Sequence, residues 1–170
     1  MKRIKFIMAV AAMLIACLSV NAQSAWGNGG PTKGYKGFAD ISYGFGSGDF
    51  SIGDHLSAST THGYQINSYI FVGGGLAIDY LLDAEDVTIP IYAAARVTLP
   101  MRIAPYLETR MGYAANAVDG FYLAETIGVR VPITDRFAFN GGLSIDNYRL
   151  DLGHDHKFST AIALKVGIEF

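Results

Sequence analysis

The chain has 170 residues, of which 51% are hydrophobic and 16% charged, with 20 glycines against five prolines and a formal net charge of −2. This length suits one main domain, and the absence of a basic surplus argues against nucleic acid as a partner. No segment holds the run of about 20 apolar residues that a membrane-spanning helix needs, so a helical membrane protein is not expected.

The N-terminus has the pattern of a secretory signal. Cations at positions 2, 3 and 5 precede an apolar core over 6–20, and Val20-Asn21-Ala22 before Gln23 is a small-residue cleavage pattern. We assign 1–22 to a signal peptide, 23–33 to a flexible lead-in and 34–170 to the folded domain. Removal of the signal leaves ten Lys and Arg against fifteen Asp and Glu, a formal charge of −5.

The single cysteine offers an alternative reading of this segment. Residues 14–17, Leu-Ile-Ala-Cys, resemble a bacterial lipoprotein box, which would make Cys17 a lipidated N-terminus. Leu18 is an unusual residue after such a cysteine, so we favour cleavage after Ala22. The mature chain then has no disulfide, no thiol chemistry and no cysteine metal site.

From position 34 onward, apolar and polar residues alternate with a period of two, which predicts β-strands. The predicted strands cover about 35–45, 55–66, 70–80, 89–99, 103–113, 121–133, 137–146 and 158–170. The last of them has the clearest pattern, with one wholly apolar face that ends in Val166, Ile168 and Phe170. We therefore predict an all-β fold, an eight-stranded antiparallel up-and-down transmembrane β-barrel.

One residue departs from the alternation. Glu125 falls on the apolar face of the sixth predicted strand. Either that end of the strand lies above the membrane, or a β-bulge shifts the register and moves the neighbouring side chains to the other face.

The polar face indicates which side of the sheet looks inward. Glycine and alanine share it with five cations and five anions, and a narrow eight-stranded interior needs such small residues. A soluble lipocalin-type barrel would instead bury the apolar face. The predicted lumenal charges are Lys36, Asp40, Asp79, Arg96, Glu108, Arg110, Arg130, Asp146, Lys165 and Glu169.

Burying an ion costs several kcal/mol unless it is paired, so these charges are expected to neutralise one another and plug the lumen. We expect lateral pairing within two groups, one on the fourth to sixth strands and one on the first and last. The alternative is that lumenal water solvates scattered charges.

The aromatic side chains of the apolar face fall at both ends of the strands, as the two lipid interfaces would select. Ordinary enrichment of aromatic residues in strands is the competing explanation. One predicted ring holds Tyr43, Phe45, Tyr80, Tyr113, Phe121 and Phe158, and the other holds Tyr35, Tyr64, Phe137, Phe139 and Phe170.

Three segments carry a family resemblance: the Ala22-Gln23 junction, residues 61–76 with Thr-His-Gly-Tyr-Gln-Ile-Asn and Phe-Val-Gly-Gly-Gly-Leu, and the terminal Val-Gly-Ile-Glu-Phe. With them, the chain resembles small outer-membrane β-barrel proteins of the OmpA/OmpX-like superfamily, especially Bacteroidetes-type porin-family relatives. The resemblance implies a bacterial outer-membrane location. It also implies that Phe170, with Ile168 and Val166, forms a C-terminal signal for the outer-membrane assembly machinery. It implies no single activity.

Candidate chemistry is confined to the last predicted loop. Asp151, His154, Asp155 and His156 could bind a divalent metal, but a solvated acidic loop is the simpler reading. His156 and Ser159 invite comparison with lipid A deacylases, whose motif they do not match. We therefore predict no catalytic residues, no metal site and no cofactor.

The expected role is structural or interactive, in a monomer that contacts outer-membrane lipid and lipopolysaccharide. The predicted loops at 46–54, 83–87, 116–120 and 149–157 are short and acidic, which disfavours a large adhesive surface. The alternatives are a narrow pore or transporter for small or hydrophobic molecules and, third, a lipid-modifying outer-membrane enzyme.

Overall fold

The computed structural model describes residues 31–46, 53–101, 103–134, 137–152 and 155–170, with the side chains of 150–152 and 155–158 outside that description. Eight strands form one closed barrel in which each strand pairs with its sequence neighbours and β8 pairs with β1, always antiparallel. The strands are β1 Gly34–Gly46, β2 His55–Gln65, β3 Ile70–Leu81, β4 Asp86–Thr98, β5 Ala104–Asn116, β6 Gly120–Pro132, β7 Ala138–Leu152 and β8 Asp155–Glu169. The predicted eight-stranded antiparallel barrel is confirmed.

The strand registers fix the width of the barrel. Starting at Gly34 and following directly paired residues from strand to strand, the path returns to β1 at Gly44, ten residues further along. Eight strands with such a stagger tilt strongly and enclose an interior that side chains can fill completely. We call the end that holds Gly34 and Phe170 the terminal end, and the other the hairpin end.

The two faces of the wall differ sharply in chemistry. Outward-facing aliphatic side chains form a continuous exposed band, which includes Ile41, Ile91, Leu107, Ile127 and Leu164. The inward faces carry the buried polar residues. No helix in the described part of the chain is long and apolar enough to cross a membrane.

The predicted hairpin-end loop at 149–157 is wrong in its extent. β7 continues to Leu152 and β8 starts at Asp155, so the pairing extends almost to the turn. The sequence misled because a strand that rises beyond the apolar band no longer needs apolar residues on its outer face, and polar residues there resemble a loop.

Glu125 lies on the outer wall without a bulge. It pairs with Thr109 on one side and Ile145 on the other, and both registers run unbroken through it. Its side chain is exposed near the middle of β6. The bulge alternative is therefore wrong, and Glu125 is a carboxylate in an apolar wall.

The predicted aromatic rings are only partly matched by exposed side chains. Tyr35, Phe45, Tyr64, Tyr113, Phe121, Phe137 and Phe139 are exposed on the outer wall, and Tyr43 is half-buried there. Tyr80 lies at an outward-facing position of its strand, but its side chain is only 6% exposed. The side chain of Phe158 lies outside the described residues.

Phe170 was predicted to belong to the aromatic ring at the terminal end, but its side chain is buried. Its backbone N–H and C=O bond to the C=O and N–H of Gly37 at 2.9 and 2.8 Å, which completes the β8–β1 seam. The ring lies over Gly37 and is only 2% exposed, with the His62 ring centroid 6.2 Å away. A Cβ at Gly37 would lie 2.4 Å from Cε2 of Phe170, so this aromatic-on-glycine contact requires the glycine.

We expect Gly37→Ala to displace the Phe170 ring and lower the free energy of unfolding by about 1 to 3 kcal/mol, because the terminal ring loses its packing. Phe170→Ala should lose a similar amount, and the double variant little more than either, since both remove one contact. Urea unfolding of the barrel refolded in vesicles measures all three.

The matched control is Gly141→Ala, where an added Cβ would meet only Cε1 of Phe139 at 3.9 Å. It should leave stability unchanged or raise it slightly. Additive losses for Gly37→Ala and Phe170→Ala would show that the two residues do not act through one contact.

Candidate functional site in the barrel lumen

A charge network crosses the middle of the lumen around Glu108 on β5. Arg96 Nε and Arg110 Nε donate to its two carboxylate oxygens at 2.7 and 2.6 Å, and Lys165 Nζ lies 3.4 Å from Oε1. Arg110 Nη2 also donates to Asp40 Oδ2 at 2.6 Å. Because β5 and β1 are on opposite sides of an eight-stranded barrel, this last bond bridges the lumen.

Neutral side chains give these cations further hydrogen bonds. Arg110 Nη1 donates to Ser59 Oγ at 2.9 Å, and Arg96 Nη1 donates to Asn140 Oδ1 at 3.2 Å. Lys165 Nζ donates to Thr126 Oγ1 at 2.9 Å. With these partners the network joins seven of the eight strands, all except β3. Burial of such charges is tolerable only when they are paired and hydrogen-bonded.

Aromatic rings stack on both guanidinium groups, and Arg96 lies between two of them. The Arg96 guanidinium carbon lies 4.0 Å from the ring centroid of Phe38 and 4.2 Å from that of Tyr106. The Arg110 guanidinium lies 5.0 Å from the Tyr92 ring. Cation–π contacts of this kind hold a desolvated arginine and fill the space on both of its faces.

Two lumenal rings depend on a glycine at the directly paired position of the neighbouring strand. A Cβ at Gly75 would lie 2.9 Å from the Tyr92 ring, and one at Gly128 would lie 2.6 Å from Cζ of Tyr106. Glycine at these positions is thus a packing requirement, and it lets large rings share a narrow interior with long charged side chains.

A second ion cluster lies towards the terminal end. Glu169 accepts from Arg130 Nε and Nη2 at 2.6 and 3.1 Å, a two-pronged contact, and Lys36 Nζ is 3.0 Å from Glu169 Oε1. All three side chains are buried. The penultimate residue of the chain is therefore bound to β1 and β6 from inside the barrel.

The hairpin end of the lumen is closed by a different, mostly apolar group. Its buried residues are Ala77, Leu81, Tyr92, Ala94, Ala114, Val118, Tyr122, Ala124 and Tyr148. Val118 reaches it from the β5–β6 turn, with its N–H bonded to Thr88 Oγ1 at 2.9 Å. We call this group the aromatic lid.

Two carboxylates sit beside the aromatic lid. Tyr148 donates to Asp79 Oδ2 at 2.6 Å, and Ser144 donates to Asp146 Oδ1 at 2.5 Å. Nε2 of the fully buried His55 lies 3.6 Å from Asp146 Oδ2. Each acidic group at this end thus has a polar neighbour, but no arginine approaches either of them among the described ion pairs.

The structure places all ten predicted lumenal charges inside the barrel and buries them. The predicted grouping is only partly right, because Arg96 and Arg110 pair with Glu108 and Lys36 pairs with Glu169, but other pairs cross between the two groups. Arg130 pairs with Glu169 rather than with Glu108, and Asp40 pairs with Arg110 rather than with the residues of β8. Lateral pairing alone was an incomplete assumption, because a long side chain in a narrow lumen reaches the opposite wall as easily as its neighbour.

Sequence reasoning also missed the aromatic contribution to the lumen. Phe38 and Phe71 are fully buried inside, and their rings meet edge to face with centroids 4.9 Å apart. Tyr122, Tyr148 and His55 line the hairpin end. The in–out alternation along the strands could have predicted these inward positions, since Phe38 lies midway between the inward-facing Lys36 and Asp40.

The predicted loop cluster is mostly outside what the structure describes. His154 lies outside the described residues, and the side chains of Asp151, Asp155 and His156 are not described. In the remaining, described part of the chain, no group of three or more His, Cys, Asp or Glu side chains could hold a metal ion.

Comparison with known proteins gives structural neighbours only. No protein-family model and no curated protein matches the chain. The crystal structure of Neisserial surface protein A (NspA) superposes with a TM-score of 0.63 at 18% identity, covering 79% of this chain and 95% of that one. A de novo designed transmembrane β-barrel gives 0.54 at 10% identity, covering 83% and 98%.

The outer membrane protein AlkL, solved by solid-state NMR in lipid bilayers, gives a TM-score of only 0.45 at 15% identity, covering 89% of this chain and 96% of that one. NspA and the designed barrel agree with the fold, a small closed β-barrel.

We expect Glu108→Gln to lower the free energy of unfolding by about 3 to 5 kcal/mol, because three buried cations lose their shared anion while the side-chain volume stays the same. Urea unfolding in vesicles measures the loss. The same change at the exposed Glu125, Glu125→Gln, is the control and should not destabilise. Equal small effects at both sites would contradict a central role for the network.

Proposed function

We propose that the chain is an integral outer-membrane β-barrel protein with a structural or interaction role and a lumen closed by charge pairs. The observation that carries the proposal is the contact of Arg110 with both Glu108 and Asp40, which joins opposite walls of the barrel. With Arg96 stacked between Phe38 and Tyr106, this layer fills the cross-section. The aromatic lid closes the hairpin end as a second layer.

The outer wall supports membrane insertion. A band of large apolar side chains this wide would be costly in water, and lipid is the environment that covers it. The aromatic side chains near both strand ends suit the two interfaces. The predicted signal over 1–22, which lies outside the described residues, supplies the export route that such a barrel requires.

The proposed partners follow from this placement. Lipid and lipopolysaccharide contact the outer wall of a monomer, and the assembly machinery reads a C-terminal signal formed by Val166, Ile168 and Phe170. The packing of Phe170 on Gly37 supports a role in closing the seam between β8 and β1 once the terminal strand has been delivered.

We expect the refolded protein to show no stable conductance in planar bilayers, because the two layers place charge pairs and large rings across the lumen. The double variant Arg96→Ser with Glu108→Ser should conduct measurably, since it removes one cation and one anion together from the central layer. Single-channel recording tests both, after heat-modifiable gel migration has shown that each barrel is folded.

The matched control is Arg149→Ser with Glu125→Ser, which removes the same two residue types from the outer wall. It should remain silent. A stable, large pore in the unmodified protein would overturn the plugged barrel and favour the pore alternative.

A further inference from the structure

A groove lies on the outer wall at the hairpin end, separate from the lumen. It has a volume of about 420 Å³ and is lined by Tyr113, Asp119, Gly120, Phe121 and Arg149. Tyr113, Phe121 and Arg149 come from the outward faces of β5, β6 and β7, and Asp119 from the turn between β5 and β6. None of these side chains takes part in the lumenal charge network.

The groove holds one cation and one anion that do not pair with each other. Tyr113 donates to Asp119 Oδ1 at 2.5 Å, which fixes the carboxylate at the rim. Arg149 is half-buried and forms no ion pair with any residue whose side chain is described. The site therefore offers a ligand two opposite charges, the Asp119 carboxylate held by Tyr113 and the Arg149 guanidinium.

Gly120 brings the two charged walls together. It has a φ of +153°, and a Cβ there would lie 2.1 Å from the carbonyl oxygen of Arg149. Only glycine permits this close approach of the β5–β6 turn to β7. The backbone is thus built so that Asp119 and Arg149 face one groove.

The remaining walls are aromatic and outward-facing. Tyr113 is 54% and Phe121 40% exposed, and both lie at the end of the apolar band where an aromatic ring meets the lipid interface. Arginine is a strong ligand for phosphate, and a carboxylate beside an aromatic face suits an ammonium group. Acyl chain carbons can continue from the groove along Phe121 into the apolar band.

We propose that this groove binds the headgroup of a membrane lipid that carries both a phosphate and a primary ammonium, with the phosphate on Arg149 and the ammonium on Asp119. The inference rests on the proposed function in one respect, that the outer wall faces lipid. A purely anionic headgroup fits less well, because Asp119 would repel it.

Native mass spectrometry of the folded barrel in detergent tests this directly, with phosphatidylethanolamine and phosphatidylglycerol of identical acyl chains as probes. Phosphatidylethanolamine should bind more tightly. Arg149→Gln should weaken both lipids about tenfold, through loss of the charged phosphate contact. Asp119→Asn should weaken phosphatidylethanolamine alone and so abolish the preference.

Lys33→Gln is the matched control, because it removes one exposed cation at the terminal end and should change nothing. Equal losses in Lys33→Gln and Arg149→Gln, or a preference that survives Asp119→Asn, would overturn the site. Free O-phosphoethanolamine that competes as well as the lipid would overturn the lipid assignment. Gel migration and conductance of the same samples report on the plugged barrel separately, so the two proposals can fail independently.

Discussion

The structure depends on one constraint, which is that every charge inside an eight-stranded barrel must find its partner inside that barrel. Glu108 meets this constraint for the central layer, because its two oxygens hold Arg96 and Arg110 and attract Lys165. The guanidinium groups then position the rings of Phe38, Tyr106 and Tyr92. Electrostatics and packing therefore act together in the same cross-section, and this combination is the basis of the proposed plug.

The barrel is organised in three layers along its axis. Glu169 with Lys36 and Arg130 occupies the terminal end, the Glu108 network the middle, and the aromatic lid the hairpin end. The two ionic layers contain more cations than anions, while the charges beside the lid are the carboxylates of Asp79 and Asp146. The lumen contains equal numbers of cations and anions, as predicted, but they are unevenly distributed along the axis. The excess of carboxylates lies towards the hairpin end.

The fold and the inward charges could be predicted because a period of two assigns each residue to a face. Asp40, Glu108 and Lys165 followed directly from that parity. The pairing of Glu108 with Arg96 and Arg110 also followed, but the partners of Asp40 and Lys165 did not. Parity says nothing of which side chains of β1 and β8 reach β5 across the lumen. Phe38 and Phe71 were missed for a related reason, since apolar residues were assigned to the outer face by type and not by position. Gly120 and Arg149 are distant in sequence, and only the β6–β7 pairing joins them in one groove.

The outer wall shows that such a surface need not be apolar at every position. Glu125 interrupts the band at mid-strand, and the polar residue Thr109 is its direct neighbour. The barrel tolerates one exposed carboxylate there, although the same group in the lumen requires three cations.

The most direct test of the closed lumen is thiol reactivity at its centre. Ser59 is 5% exposed and contacts Arg110, so Ser59→Cys places a probe inside the central layer, with Asp119→Cys as the exposed reference. Each is made in a chain that lacks Cys17. A plugged barrel predicts that a water-soluble thiosulfonate modifies the Asp119→Cys protein rapidly and leaves the folded Ser59→Cys protein unmodified until urea unfolds it. Equal modification rates in the two folded proteins would contradict the account.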